Sequence, residues 1–398
     1  MRKLLLATTA AITTAGAAMA GGHMKDVTIG VLVAFTGPLE SLAPPIAEGA
    51  ELAIKEVNDS GKFVDGGVIT PVRGDSTCVD AGAATAAAER LITAEGASAI
   101  MGAMCSGATG AVFTNVSRPN GILQISPSAT SPGLTALEDD NLFFRLAPSD
   151  ARQGEVMTDV IMDKGFKEVA LTYTNNDYGK GLADSFQSAF EAAGGTVTIS
   201  AAHEDGKSDY SAEVGALASA GGEVLVVAGY ADQGGAGVIQ AALDSGAFDT
   251  FVLPDGMVTS ALTDRFGADL DGSFGQNPSA SGDAAASYEQ MAEAAGFDGS
   301  SPYAKEGYDS AALIMLAMHA TGSTEGKVLA EKVWELANGP GEKIYPGELG
   351  KAMEILSAGG AIDYEGASSV NLIGPGEASG SYREIVVEGG EIKEVGFR

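Results

Sequence analysis

Apolar β-rich runs alternate with Ala-rich stretches along this chain, and the alternation is played through twice within its 398 residues. Runs at 27–33, 68–72, 97–101 and 122–125 are predicted strands, and the stretches 45–58, 81–95 and 109–116 carry apolar residues at helical spacing. A strand followed by a helix before the next strand cannot form a hairpin with it, so the pattern predicts parallel pairing with helices packed on the sheet. After Leu142–Arg145, Ser149 is placed to cap a new helix, and the alternation restarts with strands at 168–172, 196–200, 224–228 and 250–253. Helices are predicted between them at 181–193, 210–220 and 237–245. Beyond 272–278 the texture changes to four helical stretches, 284–295, 303–320, 328–337 and 346–357, and then β-like runs at 382–387 and 391–395. Helices without intervening strands are expected to return to the first unit and cover its sheet. The predicted fold class is α/β and two-lobed, each lobe a doubly wound, mainly parallel sheet flanked by helices. Residues 25–146 and 278–361 are assigned to the N-terminal lobe, and 147–277 and 362–398 to the C-terminal lobe. The three crossings, near 146, 277 and 362, would form a hinge.

The first twenty residues read as a separate object. Arg2 and Lys3 precede a short apolar region, and Ala18-Met19-Ala20 has the small-x-small form of a cleavage site, so 1–20 is expected to be a Sec signal peptide. The apolar stretch is shorter than a bilayer span needs, and no cysteine follows the cleavage site to carry a lipid. The mature chain is therefore expected to be soluble and outside the cytoplasm. There Cys78 and Cys105, 27 positions apart, are expected to pair, with two buried free thiols as the alternative.

The formal charge of −30 repels phosphate backbones and anionic lipids, which argues against nucleic-acid and membrane-surface partners. Catalytic signatures are lacking. Gly206-Lys207-Ser208 resembles the end of a phosphate-binding loop but lacks its first glycine, and Gly234-Gly235-Ala236-Gly237 reads as a tight turn rather than a dinucleotide loop. There is no GxSxG and no HExxH, and His203 and His319 are the only histidines beyond the expected leader and His23 beside it. The histidines have no ligand spacing with the cysteines. No metal, no cofactor and no enzymatic activity are expected.

Binding signals are stronger. Cys105-Ser106-Gly107-Ala108-Thr109 lies between a predicted strand and a helix, where amides and the Ser106 hydroxyl suit a carboxylate; the alternative makes Ser106 an ordinary helix cap. A second strand-end loop, Ser126-Pro127-Ser128-Ala129-Thr130-Ser131-Pro132, follows the neighbouring strand. Its Thr130 offers an amide and a hydroxyl, and the Ser128 carbonyl can accept from an ammonium. Two such loops converge at the carboxyl edge of a parallel sheet, where open α/β sheets bind ligands.

In this order and spacing, CSGAT, ISPSATSP and YTNNDYGKGLADSF, with the opening IGVLVAFTGPLESLAPPIAEGAELAIKEVN, resemble the periplasmic leucine/isoleucine/valine-binding proteins. The likeness covers essentially the whole mature chain. These are receptors of ABC importers with the type I periplasmic binding fold. The resemblance implies an amino acid, branched-chain or similar, held between two lobes by hinge closure, a monomeric receptor, and ABC permease subunits as partners. It implies that Ser106 and Thr130 of the two loops hold a ligand carboxylate, with Ala129 a further ligand-binding residue, that Ser128 offers its carbonyl to the ammonium, and that Tyr178 closes over the ligand from the opposite lobe. Asp255, in Leu253-Pro254-Asp255-Gly256, occupies the place of the family's acidic ammonium partner, often Glu in relatives; read alone, it is a turn residue. Tyr230 would line the second-lobe wall. The Cys78–Cys105 pairing matches a disulfide of some members. Glu40, after the first strand, and Glu306, near the start of a late helix, either border the ligand side chain or face solvent. The alternatives carried forward are an amide, urea or carboxylic acid as ligand and, further off, a secreted hydrolase.

Overall fold

The computed structural model describes residues 26–398; the expected leader and His23 lie outside the described residues. The strands run in chain order β1 (Val27–Val33), β2 (Ile69–Asp75), β3 (Ala97–Gly102), β4 (Leu123–Ser126), β5 (Phe143–Arg145), β6 (Glu168–Thr174), β7 (Thr196–His203), β8 (Val224–Ala228), β9 (Phe251–Leu253) and β10 (Phe274–Pro278). They continue as β11 (Glu342–Ile344), β12 (Ile362–Tyr364), β13 (Leu372–Ile373), β14 (Glu377–Ala378), β15 (Tyr382–Glu388) and β16 (Glu391–Phe397). They form two seven-stranded sheets, ordered β13-β14-β5-β4-β3-β1-β2 and β16-β15-β10-β9-β8-β6-β7, and a separate pair β11-β12. Within each large sheet the five strands from β5 to β2, and from β10 to β7, are parallel. This is the doubly wound arrangement predicted, and β8 is buried along its whole length because helices cover both faces.

One boundary is corrected. The sequence assigned 362–398 to the second lobe. Strand pairing instead puts β13 and β14 on the edge of the first sheet, with Glu377 opposite Arg145. The last change of sheet therefore falls between Ala378 and Tyr382. This third connection is tied to the second by Ser279 N–H donating to Ser381 O (3.0 Å) and Ser381 Oγ donating to Ser279 O (2.6 Å).

The late helices do cover the first sheet. Ala304–Thr321 is buried from Ala304 to His319 and packs on Ala43–Ser60. The approach is close: a Cβ on Gly307 would lie 2.4 Å from the Ile46 carbonyl oxygen, and one on Gly49 2.3 Å from that of Ala304. Burial of so much of this helix traps charged groups. Asp309 accepts from Tyr364 Oη (2.7 Å), the Ala367 amide (2.9 Å) and the Ser368 amide and hydroxyl (2.7 and 2.6 Å), yet desolvation still raises its pKa to about 6. Desolvation likewise raises Glu306 to about 7.

Above the ordinary carboxylate range of about 4, the folded chain thus binds protons that the unfolded chain has lost. Stability falls as pH rises toward 7. The empty protein is expected to melt several degrees higher near pH 5 than near pH 8. Self-repulsion of a −30 chain acts in the same sense, so Glu306→Gln isolates the buried carboxyl: calorimetric scans of the variant should show a flatter pH slope. An unchanged slope contradicts this assignment.

Candidate functional site

The carboxyl ends of the two parallel sheets face each other across a cleft. From the first lobe come the loops after β3 and β4. Cys105 is disulfide-bonded to Cys78 with 5.3 Å between Cα atoms, anchoring the β2 loop beside the start of the helix Ser106–Val112. Ser106 is the first residue of that helix rather than its cap, and its Oγ accepts from the Ser131 amide (3.1 Å). The two loops are joined further by Ser128 Oγ donating to the Met104 carbonyl (2.9 Å). The helix is only seven residues long, so hydroxyls rather than a macrodipole are what this edge offers.

From the second lobe come Tyr178, in the first turn of Asp177–Ala192, and Asp255, which opens a short turn after β9. Asn176 caps the Tyr178 helix, accepting from the Gly179 amide (3.0 Å). The Tyr178 and Tyr230 rings stack, with centroids 5.2 Å apart. Asp255 is almost fully buried. Its Oδ1 accepts from Tyr178 Oη (2.8 Å) and Gln153 Nε2 (2.9 Å), and its Oδ2 accepts from Tyr303 Oη (2.7 Å). Gly256 is required beside it, because a Cβ there would lie 2.6 Å from the Gly229 carbonyl oxygen and 3.0 Å from Tyr178 Oη.

Ser106, Ser128, Tyr178, Tyr230 and Asp255 therefore line one cavity, together with Leu39, Leu42, Met104 and Tyr303. Its free space is about 20 Å3, room for about one water molecule. The lobes meet directly around it. Asp232 N–H donates to the Pro38 carbonyl (3.2 Å), Ser41 N–H donates to Asp232 Oδ2 (2.9 Å), and the Ser41 and Thr259 hydroxyls are 3.3 Å apart. Tyr303 is a further bridge. It belongs to the segment that returns to the first lobe, and it reaches Asp255 from a left-handed backbone conformation (φ 66°) uncommon for a tyrosine.

Three predicted residues, Glu40, Ala129 and Thr130, do not line this cavity. Glu40 is exposed to solvent. The Ala129 side chain packs into a small core with Phe113, Leu134, Leu142 and Phe143. Thr130 is buried nearby, and its hydroxyl has no hydrogen-bond partner among the described residues.

The structure adds a residue that sequence reasoning missed. Asp150 starts the helix capped by Ser149 and is fully buried, with its amide donating to the Thr130 carbonyl (2.9 Å). Neither Asp150 carboxylate oxygen has a hydrogen-bond partner among the described residues. The Thr130 hydroxyl lies close enough to favour its charged form, without the geometry of a hydrogen bond. Burial, and then the neighbouring Asp255 carboxylate, push Asp150 well above the usual carboxylate range. Burial raises Asp255 too, against the pull of its three side-chain donors. The signal that could have found Asp150 is its place right after a crossing between lobes, where a first-turn acid meets the opposite loop. A buried, under-bonded carboxylate such as Asp150 is costly unless it takes up a proton or a cation arrives.

The descriptive model of the family "Periplasmic binding protein" matches residues 26–337. A Leu/Ile/Val-binding protein homolog 1 of Brucella melitensis is 32% identical over 342 residues, covering 84% of this chain and 89% of that protein. Homolog 3 of the same organism is 34% identical over 59% of this chain, an alignment that spans 62% of its own length. Among solved structures, the leucine-binding protein LivK of Thermotoga maritima aligns with a TM-score of 0.77 at 21% identity, covering 93% of this chain and 98% of that one. A Rhodopseudomonas palustris solute-binding protein in complex with benzoate aligns at 0.73 and 20% identity, covering 94% and 96%. The two wound sheets, their facing carboxyl edges and these likenesses agree: the chain belongs to the periplasmic binding protein family.

Proposed function

We propose that this protein is the extracytoplasmic substrate-binding component of an ABC importer and carries an α-amino acid, branched-chain or of similar size, in the interlobe cleft. The observation that carries this reading is the buried Asp255 carboxyl in the cavity wall that Ser106 also lines, with Asp150 and Thr130 buried beside it and lacking hydrogen-bond partners for their side-chain oxygens among the described residues. A zwitterion complements such a site. Its ammonium answers the two carboxyls, and its carboxylate takes the hydroxyls and the amides of the two first-lobe loops. Leu39, Leu42 and Met104 supply apolar wall for the side chain. A simple carboxylate, such as the benzoate held by a structural neighbour, leaves both acids unanswered.

With about 20 Å3 free, the cavity is too small for any α-amino acid without opening of the lobes. Ligand would enter an open form and replace the direct Tyr303–Asp255 bridge as the cleft recloses. The names of the Leu/Ile/Val-binding relatives support the substrate class, and the family supports a periplasmic, non-enzymatic role with permease partners.

Calorimetric titration with leucine, isoleucine, valine, arginine, benzoate and urea tests the proposal. Binding is expected for the aliphatic amino acids and absent for benzoate and urea. No binding by any amino acid overturns the substrate class. Because Glu40 is exposed, Glu40→Gln should leave leucine affinity within twofold of wild type; a larger change brings Glu40 back into ligand choice.

A further inference from the structure

The loop that carries Thr130 is held from behind by one side chain. Arg145, at the end of β5, is 1% exposed. Its Nη1 donates to the carbonyls of Ala129 (3.2 Å) and Ser131 (2.9 Å), one on each side of Thr130. Its Nη2 donates to Thr135 Oγ1 (2.8 Å) and to Glu377 Oε2, and its Nε donates to the same Glu377 oxygen (3.1 Å). Thr135 Oγ1 also donates to Glu377 Oε2 (2.9 Å). In a planar trans peptide the carbonyl and the following N–H point in opposite directions. Drawing the Ala129 carbonyl back onto the guanidinium therefore turns the Thr130 N–H away from Arg145. Only a planar fork with several donors spans two carbonyls, a hydroxyl and a carboxylate at once; an ammonium cannot.

The other end of this clamp is in the hinge. Glu377 lies on β14, directly opposite Arg145, and the Arg145 amide donates to the Gly376 carbonyl (3.0 Å). One residue beyond Glu377 the chain leaves the first sheet for the second. Arg145 itself precedes the first crossing, whose Asp150 amide holds the Thr130 carbonyl (2.9 Å). The ligand loop, the first crossing and the third crossing thus converge on a single guanidinium. A buried ion pair is weak evidence for stability in itself, because desolvation offsets its attraction. Geometry is the better account of its presence.

We infer that Arg145 and Glu377 are positioning residues that fix the orientation of the 128–131 ligand loop and couple it to the third hinge connection. The inference rests on the proposed amino-acid site, and its test separates the two. Hydrogen exchange of the ligand-free protein is measured for wild type, Arg145→Lys and Glu377→Gln. Amides within 126–135 should exchange at least tenfold faster in both variants, with the rest of the first lobe unchanged. Leucine affinity should fall about tenfold or more in Arg145→Lys and about threefold to tenfold in Glu377→Gln. Val333→Ala, which hollows the core of the same lobe far from the loop in sequence, serves as the destabilised control; its melting temperature should drop without either change. Unchanged exchange at 126–135 overturns the inference whether or not leucine binds. Equal effects in the Val333 control overturn it in favour of a general loss of stability. Should Arg145→Lys fail to fold, Glu377→Gln decides alone. Absence of leucine binding by wild type counts against the proposed function, while exchange still judges the clamp.

Discussion

Asp255→Asn is expected to weaken leucine binding by two to three orders of magnitude while leaving the fold intact. Asparagine keeps the size of the side chain and one acceptor for the donors around it, Tyr178, Gln153 and Tyr303. It removes the charge that a buried ammonium would meet. Removing one member of a desolvated charge pair costs about 3–5 kcal/mol, and each factor of ten in affinity is about 1.4 kcal/mol. Titration calorimetry reads the loss, and an unchanged circular dichroism spectrum guards against unfolding. An affinity within fivefold of wild type would mean that Asp255 meets no ammonium and would favour a ligand without one.

The second large effect concerns the disulfide. Replacing Cys78 and Cys105 together with serine releases a 27-residue loop, worth on the order of 3–4 kcal/mol in the chain-entropy account. A fall in melting temperature of about five degrees is expected from such a loss in a chain this long, and leucine affinity should fall with it, because Cys105 immediately precedes Ser106 in the cavity wall. Scanning calorimetry with and without reductant gives the same comparison on the wild type. A shift below two degrees would show that polar contacts already hold the β2 loop, chiefly Asp75 with the Thr36 hydroxyl (2.6 Å) and the Thr77 amide (3.0 Å).

The parts of this molecule that were legible in its sequence share a physical cause. β1 and β8 are buried nearly throughout, so each is a continuous apolar run bounded by polar residues. The helix cap at Ser149 and the loop serines announce themselves through local chemistry. What escaped is what only tertiary contact creates. β10 reads Phe-Gly-Gln-Asn-Pro, and its buried Gln276 and Asn277 disguised it as a loop. β13 and β14 have two residues each, too few to carry any period, so the third crossing was set too early. Asp150 looks like any first-turn acid; it becomes an unusual group only when the Thr130 loop and Asp255 close over it. Glu40 follows the first strand, and its sequence left pocket and solvent both open; adjacent residues can face opposite ways, and here Leu39 is buried and Glu40 exposed.

The threading of the final segment also bears on how the chain assembles. β14 borders β5 and β15 borders β10, so the outermost pairings of both sheets depend on about the last thirty residues. Until those residues arrive, Arg145 has no acid opposite it, and β5 and β10 present open edges on which another chain could template. Contacts spanning 232 positions, as between Arg145 and Glu377, also make folding slow. Neither half can mature ahead of the other, and a chain that ends early leaves two unfinished bodies instead of one finished and one missing.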